Sequence, residues 1–201
     1  MYEVIDGYAL TLEQSQELFQ LCLQEATYFT MTVYPRCESD WELVTFDREL
    51  EKRLEPHCIG KKHIKEKGGR WGNNGVDPLN DQDPGIKLKV FKVTPETSSI
   101  LLSFYDTIYL ERGEVVQAWY NHIGDEADID YQLATLSDIF FLDDDRKVMV
   151  ETLPVEGTVG IYEDNEVLLD FVRRTPGIWH HWNADDDIKD GFRNLVEWEA
   201  I

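Results

Sequence analysis

Residues 139–153 read Ile139-Phe140-Phe141-Leu142-Asp143-Asp144-Asp145-Arg146-Lys147-Val148-Met149-Val150-Glu151-Thr152-Leu153. Two apolar runs, one aromatic and one rich in valine, flank Asp143-Asp144-Asp145-Arg146, where aspartates favour a turn. This is the pattern of an antiparallel hairpin, which needs no helical crossover. A second hairpin is expected from Thr107-Ile108-Tyr109-Leu110, the turn Glu111-Arg112-Gly113-Glu114, and Val115 to Tyr120. Thr158 to Tyr162 reads as a further strand. Upstream, Ile86, Leu88, Val90 and Val93 alternate with Lys87, Lys89 and Lys92, which predicts a strand with a lysine-bearing solvent face. Ser98 to Tyr105 is apolar but too short for its period to decide between helix and strand.

Helical signals lie outside this block of strands. Thr11 and Gln14 have capping-box spacing, and Leu12, Leu18, Phe19, Cys22, Leu23 and Ala26 gather on one helical face, so a helix is expected over Leu12–Ala26. Tyr2 to Ala9 and Tyr28 to Tyr34 read as strands on either side, the latter stopped by Pro35. Asp47 to Leu54 reads as a short helix. Glu163 to Arg174 places Val167, Leu168 and Phe171 on one face, carries acids at its start and arginines at its end, and is terminated by Thr175-Pro176-Gly177. A last helix is expected from about Asp185 to Glu199, with Ile188, Phe192, Leu195 and Val196 inward. Hairpins between flanking helices, without βαβ alternation, indicate an α+β fold: a mainly antiparallel sheet packed against an N-terminal helix and two C-terminal helices. The 201 residues fit one domain. Gly-Gly, Asn-Gly, Asp-Pro and Pro-Gly steps mark a long exposed loop at about 59–85.

Charge is the outlying bulk property. Nineteen basic residues stand against forty acidic ones, a formal net charge of −21. From Val93 to Ile201 there are seven basic and twenty-four acidic residues, so −17 of that charge lies in the second half. Such a field disfavours direct nucleic-acid binding and anionic membranes and favours a basic protein partner. The first residues carry neither the basic nor the apolar region of a secretory signal, and no apolar run approaches the roughly 20 residues of a membrane span. Cys22, Cys37 and Cys58 show no C-x-x-C pair. Reduced thiols in the cytoplasm are the expectation.

Several short strings carry candidate chemistry. Asp143, Asp144 and Asp145 offer oxygen ligands but lack the spacing of a calcium loop, and turn formation accounts for them. Asp185-Asp186-Asp187 suits a helix start. Trp179-His180-His181-Trp182 combines two aromatics with two histidines that diverge on an extended chain, so core packing or an interface anchor is favoured over a joint metal site. Cys37, His57, Cys58 and His63 are zinc-type ligands without zinc-type spacing, so no metal is expected. Lys61, Lys62, Lys65, Lys67 and Arg70, followed by Trp71, form a basic stretch without the order of a phosphate loop, and no cofactor is indicated.

Two functions follow as expectations. The first is a non-enzymatic acidic binding protein, of the kind that neutralises a nuclease-like toxin or mimics DNA. It would meet a basic protein partner through Asp143, Asp144, Asp145, Asp125, Glu126, Asp128, Asp130, Trp179 and Trp182. The second is an enzyme or small-ligand-binding protein using Lys61, Lys62, Arg70, Trp71, His180 and His181. A homo-oligomer held through aromatic surface is a third arrangement.

Overall fold

The computed structural model describes residues 2–4, 10–33, 49–64, 86–106, 108, 139–153, 158–181 and 198–201. Nine strands form one sheet: β1 (Tyr2–Val4), β2 (Tyr28–Val33), β3 (Cys58–Ile64), β4 (Ile86–Lys92), β5 (Ile139–Leu142), β6 (Val148–Leu153), β7 (Thr158–Ile161), and the two-residue β8 (His180–His181) and β9 (Glu199–Ala200). Their order is β8-β1-β7-β6-β5-β2-β4-β3-β9, and every pairing is antiparallel. Among the described residues, helices α1 (Leu12–Glu25), α2 (residues 49–54, running into a 3₁₀ turn at Glu55–His57), α3 (Pro95–Phe104) and α4 (Glu166–Arg174) join this sheet in an α+β architecture.

The hairpin quoted above forms as expected. Asp143 closes the turn twice: its N–H donates to the Lys147 carbonyl at 3.0 Å, and its side chain accepts from the Lys147 N–H at 2.8 Å. Arg146 takes φ 68°, a left-handed conformation that costs a non-glycine residue roughly 1–2 kcal/mol. Phe141 pairs with Val150 and Leu142 with Val148, so Met149 is the extra residue of a bulge.

Strand β2 lies between β5 and β4, which sets Phe29 opposite both Phe141 and Phe91. Phe29 and Phe91 stack at 5.0 Å, and Phe19 of α1 meets Phe141 edge-on at 6.2 Å. Leu18 and Cys22 of α1, Leu50 and Leu54 of α2, Ile100, Leu101 and Phe104 of α3, and Leu168 and Phe171 of α4 fill the same core. On the other side of the sheet Leu88, Val90, Phe140 and Leu142 are also buried. The central strands are therefore covered on both faces, and Ile139–Leu142 reads as a continuous apolar run rather than an alternation.

Local chemistry explains the helix ends. Thr11 and Gln14 form the reciprocal capping box of α1. Thr94 and Thr97 form another ahead of Pro95, which makes the ambiguous 98–105 segment the body of a helix. The Asn165 side chain accepts from the Leu168 N–H at 3.0 Å, starting α4 three residues later than Glu163.

Four expectations are corrected. Residues 59–64 belong to a strand, not to the long loop: β3 pairs with β4 along its length, and a bulge between Cys58 and Gly60 hides the alternation. Lys89 is not on a solvent face, because α2 and its 3₁₀ extension cover that side of β4; only 7% of its surface is exposed. Val167 is 41% exposed, since Leu168, Phe171 and Val172 provide the buried face of α4. Glu199 ends no helix, because it and Ala200 pair with Lys61 and Gly60 as β9. The hairpin at Thr107–Tyr120, the helix body from Asp185 and the loop residues 65–85 lie outside the described residues, apart from buried Ile108. Among the described residues no helix is long and apolar enough to cross a membrane.

Candidate functional site

Among the described residues an acidic surface is assembled on the outer side of α1 and α4. The two helices run antiparallel, as two cross-links require: Glu17 accepts from Arg174 at 3.0 Å, and Glu25 accepts from the Asn165 amide at 3.1 Å. Burial of Leu18, Phe19 and Cys22 on one helix and Leu168, Phe171 and Val172 on the other turns the remaining positions outward. Those positions bring Glu13, Glu17, Glu166 and Asp170 to the surface, with half-buried Glu25 beside Asn165 and exposed Glu163 and Asp164 in the turn ahead of α4. The bases at this face, Arg173 and Arg174, are engaged internally: Arg173 with Asp170 at 2.6 Å and Glu166 at 3.2 Å, Arg174 with Glu17. Capping and dipole arguments account for some of these acids singly. Their convergence depends on which helices are neighbours, so it is not a local sequence signal.

The hairpin tip adds Asp143, Asp144 and Asp145. Asp143 is half-buried and committed to the turn, whereas Asp144 and Asp145 are exposed, with Lys147 3.9 Å from Asp145. Asp125, Glu126, Asp128, Asp130 and Trp182 lie outside the described residues, as do Arg70 and Trp71. Trp179 folds back onto α4: its indole N–H donates to the Thr175 hydroxyl at 2.9 Å, and its ring meets Phe171 edge-on at 6.3 Å. That places it at the margin of the core.

The basic residues and the histidines do not share a site. His180 and His181 form β8 at one end of the strand order, while Lys61 and Lys62 lie on β3 near the other. Seven strand spacings separate them, on the order of 30 Å along the sheet. Both histidines are exposed and, on adjacent strand positions, project to opposite faces. His181 Nε2 lies 2.9 Å from Glu163 Oε1. The described members of the ligand-binding expectation therefore lie toward opposite ends of the strand order, with Arg70 and Trp71 outside the described residues.

Two buried polar groups escaped the sequence reading. Lys89 donates to Glu51 at 2.6 Å and to Glu55, which also holds Lys61 at 3.3 Å. Hydrogen bonding to Lys89 draws the Glu55 carboxyl below its ordinary pKa despite partial burial. Burial alone would lower the Lys89 pKa, but its bonds and charge pairing with Glu51 and Glu55 outweigh that and raise it. A lysine held charged in this way is a structural cation, not a nucleophile. On the other side of the sheet Glu151 is 1% exposed and accepts from the Tyr162 hydroxyl at 3.4 Å. Gly160 makes room for it, since a Cβ there would sit 3.0 Å from its Cγ.

Burial pushes the Cys22 thiol up, so it is unreactive; Cys58 is half-buried and donates to the Gly60 carbonyl at 3.3 Å. Among the described residues no group of three or more His, Cys, Asp or Glu side chains is arranged to hold a metal ion. No model of a known protein family matches the chain, and neither a curated protein nor a solved structure does so.

Proposed function

We propose that this chain is a non-enzymatic binding protein that presents an acidic surface to a basic protein partner, in the manner of an immunity protein or a DNA mimic. The observation that carries the reading is the α1–α4 face, where Glu13, Glu17, Glu25, Glu166 and Asp170 of the two helices meet, among the described residues, two guanidiniums that are both paired internally. A folded surface of one sign raises association rates with an oppositely charged partner and excludes like-charged ones, which argues against direct nucleic-acid binding. The exposed Asp144 and Asp145 extend the acidic surface beyond the helices. Cytoplasmic placement, with Cys22 and Cys58 reduced, belongs to the same proposal.

The test is capture of basic proteins from lysate by the wild-type chain and by a variant carrying Glu13→Gln, Glu17→Gln, Glu166→Gln and Asp170→Asn. The reading expects a defined basic protein that is retained by the wild type, released as salt rises, and lost with the variant. Retention of the same proteins by both would sink it.

A further inference from the structure

The 198–201 segment is held at the sheet edge by backbone pairing with β3 and by one large side chain. Strand β9 contributes two residues to the ladder, Ala200 opposite Gly60 and Glu199 opposite Lys61, and the Ile201 N–H donates to the Ile59 carbonyl at 3.3 Å. The larger contact is Trp198. Its ring lies directly on Gly60: a Cβ built there would overlap Cδ1 and stand 2.6 Å from Nε1 and 2.9 Å from Cγ. Tyr28 meets the ring edge-on at 5.5 Å, and the Arg146 guanidinium lies over it, 4.2 Å from the centroid. Strand β3 thus gives up a side chain where the indole rests. Three separate segments converge on that ring: the start of β2, the β5–β6 turn and β3. Among the described residues, Gly60 and Lys61 are the part of β3 that pairs with β9, while the strand runs to Ile64.

We propose that the recess over Gly60 is a peptide-binding groove occupied in cis by residues 198–201, and that a partner fills it with an extended aromatic–acidic–small–aliphatic segment. Each feature of the groove selects one feature of that segment. The missing Cβ at Gly60, the edge of Tyr28 and the face of Arg146 take an aromatic ring with a cation–π contact. Lys61, across the ladder from Glu199, favours a carboxylate at the next position. The small residue comes opposite Gly60, and β3 supplies to that segment the main-chain hydrogen bonds it now makes with β9. The occupant's chemistry is read from the segment that fits it now. The inference stands independently of the acidic α1–α4 face.

The experiment uses the full chain with Trp198→Ala, which vacates the ring site, and the acetylated peptide Trp-Glu-Ala-Ile as probe, followed by NMR titration. Saturable binding to Trp198→Ala is expected, at least tenfold tighter than to the wild type, whose own ring competes. Binding is expected to be lost with Ala-Glu-Ala-Ile, to weaken severalfold with Trp-Lys-Ala-Ile, and to be lost when Gly60→Ala is added. Absence of saturable binding by a folded Trp198→Ala protein overturns the proposal, as does equal affinity for the wild type. Should Trp198→Ala fail to fold, hydrogen exchange on the wild type decides. A detachable strap requires the Ile201 amide to exchange at least tenfold faster than the β2–β4 ladder amides, and exchange only through global unfolding refutes it.

Discussion

Lys89 is the residue where strand periodicity and burial part company. Alternation along β4 correctly separates Leu88 and Val90 from Lys89, whereas Lys92 shares their face, and it cannot say what lies over the Lys89 side. That is decided by α2 and Glu55, more than 30 positions away, whose carboxylates fix Lys89 beneath them. Removing one member of a buried ion pair leaves its partners' charges uncompensated. Because Glu51 and Glu55 keep partial access to water, Lys89→Ala is expected to cost about 2 kcal/mol rather than the 3–5 kcal/mol of a fully buried pair. Lys89→Met keeps the stem and is expected to cost less. Urea titration at constant m-value checks both, and an unchanged midpoint for Lys89→Ala refutes the role assigned here. The linkage follows from the directions of the shifts. Glu55 has a folded pKa below its unfolded one, so its contribution is complete above about pH 4.3 and is lost as pH falls through the folded value. Lys89 is raised, so its contribution is complete below about pH 10.4 and is lost as pH rises through the folded value. Stability measured against pH should therefore lose part of its acid-side slope in Lys89→Met.

Among the elements, those with self-contained signals were legible. The capping box at Thr11 and Gln14 fixed the start of α1, and aspartates between apolar runs fixed the β5–β6 turn. The signal for α3 was weaker because Thr97 replaces the usual Glu or Gln of the box, although its hydroxyl makes the same reciprocal bond. Strand β3 is not legible in the sequence because the bulge at Ile59 shifts the alternation by one residue and Gly60 carries no side chain to show it. Helix α4 shows how far a stripe can be read. Val167 and Leu168 are adjacent and equally apolar in sequence, yet Leu168 is fully buried and Val167 is 41% exposed. The consequence is a sharp asymmetry. Leu168→Ala should cost about 3 kcal/mol through lost burial and a residual cavity. Val167→Lys should change stability by no more than about 0.5 kcal/mol. Equal losses in denaturant titration would show that α4 packs by a different face.

Over the whole molecule, charge is legible as a sum but not as a surface. The −21 balance follows from composition, whereas the α1–α4 face exists only because two helices far apart in sequence pack antiparallel and turn their acids the same way. Folding brings those carboxylates together, so self-repulsion should be greater in the compact state than in the expanded chain. Two effects of salt then compete. Screening relieves the excess of forty acids over nineteen bases, and it also weakens surface pairs such as Arg173–Asp170 and Arg174–Glu17. Exposed pairs are worth only about 0–1 kcal/mol each, and the buried Lys89 is screened less than they are. The repulsion summed over the surface should win. Raising salt from about 0.01 M to 0.1 M shortens the screening length from about 30 Å to about 10 Å, less than the width of the sheet. The thermal midpoint is therefore expected to rise over that range, by roughly 2–4 °C for each kcal/mol relieved in a chain of this size. Neutralising Glu13, Glu17, Glu166 and Asp170 should shrink the rise. A midpoint that stays flat or falls in the wild type would mean that the internal pairs offset the repulsion, and that the acidic face is electrostatically balanced within the molecule itself.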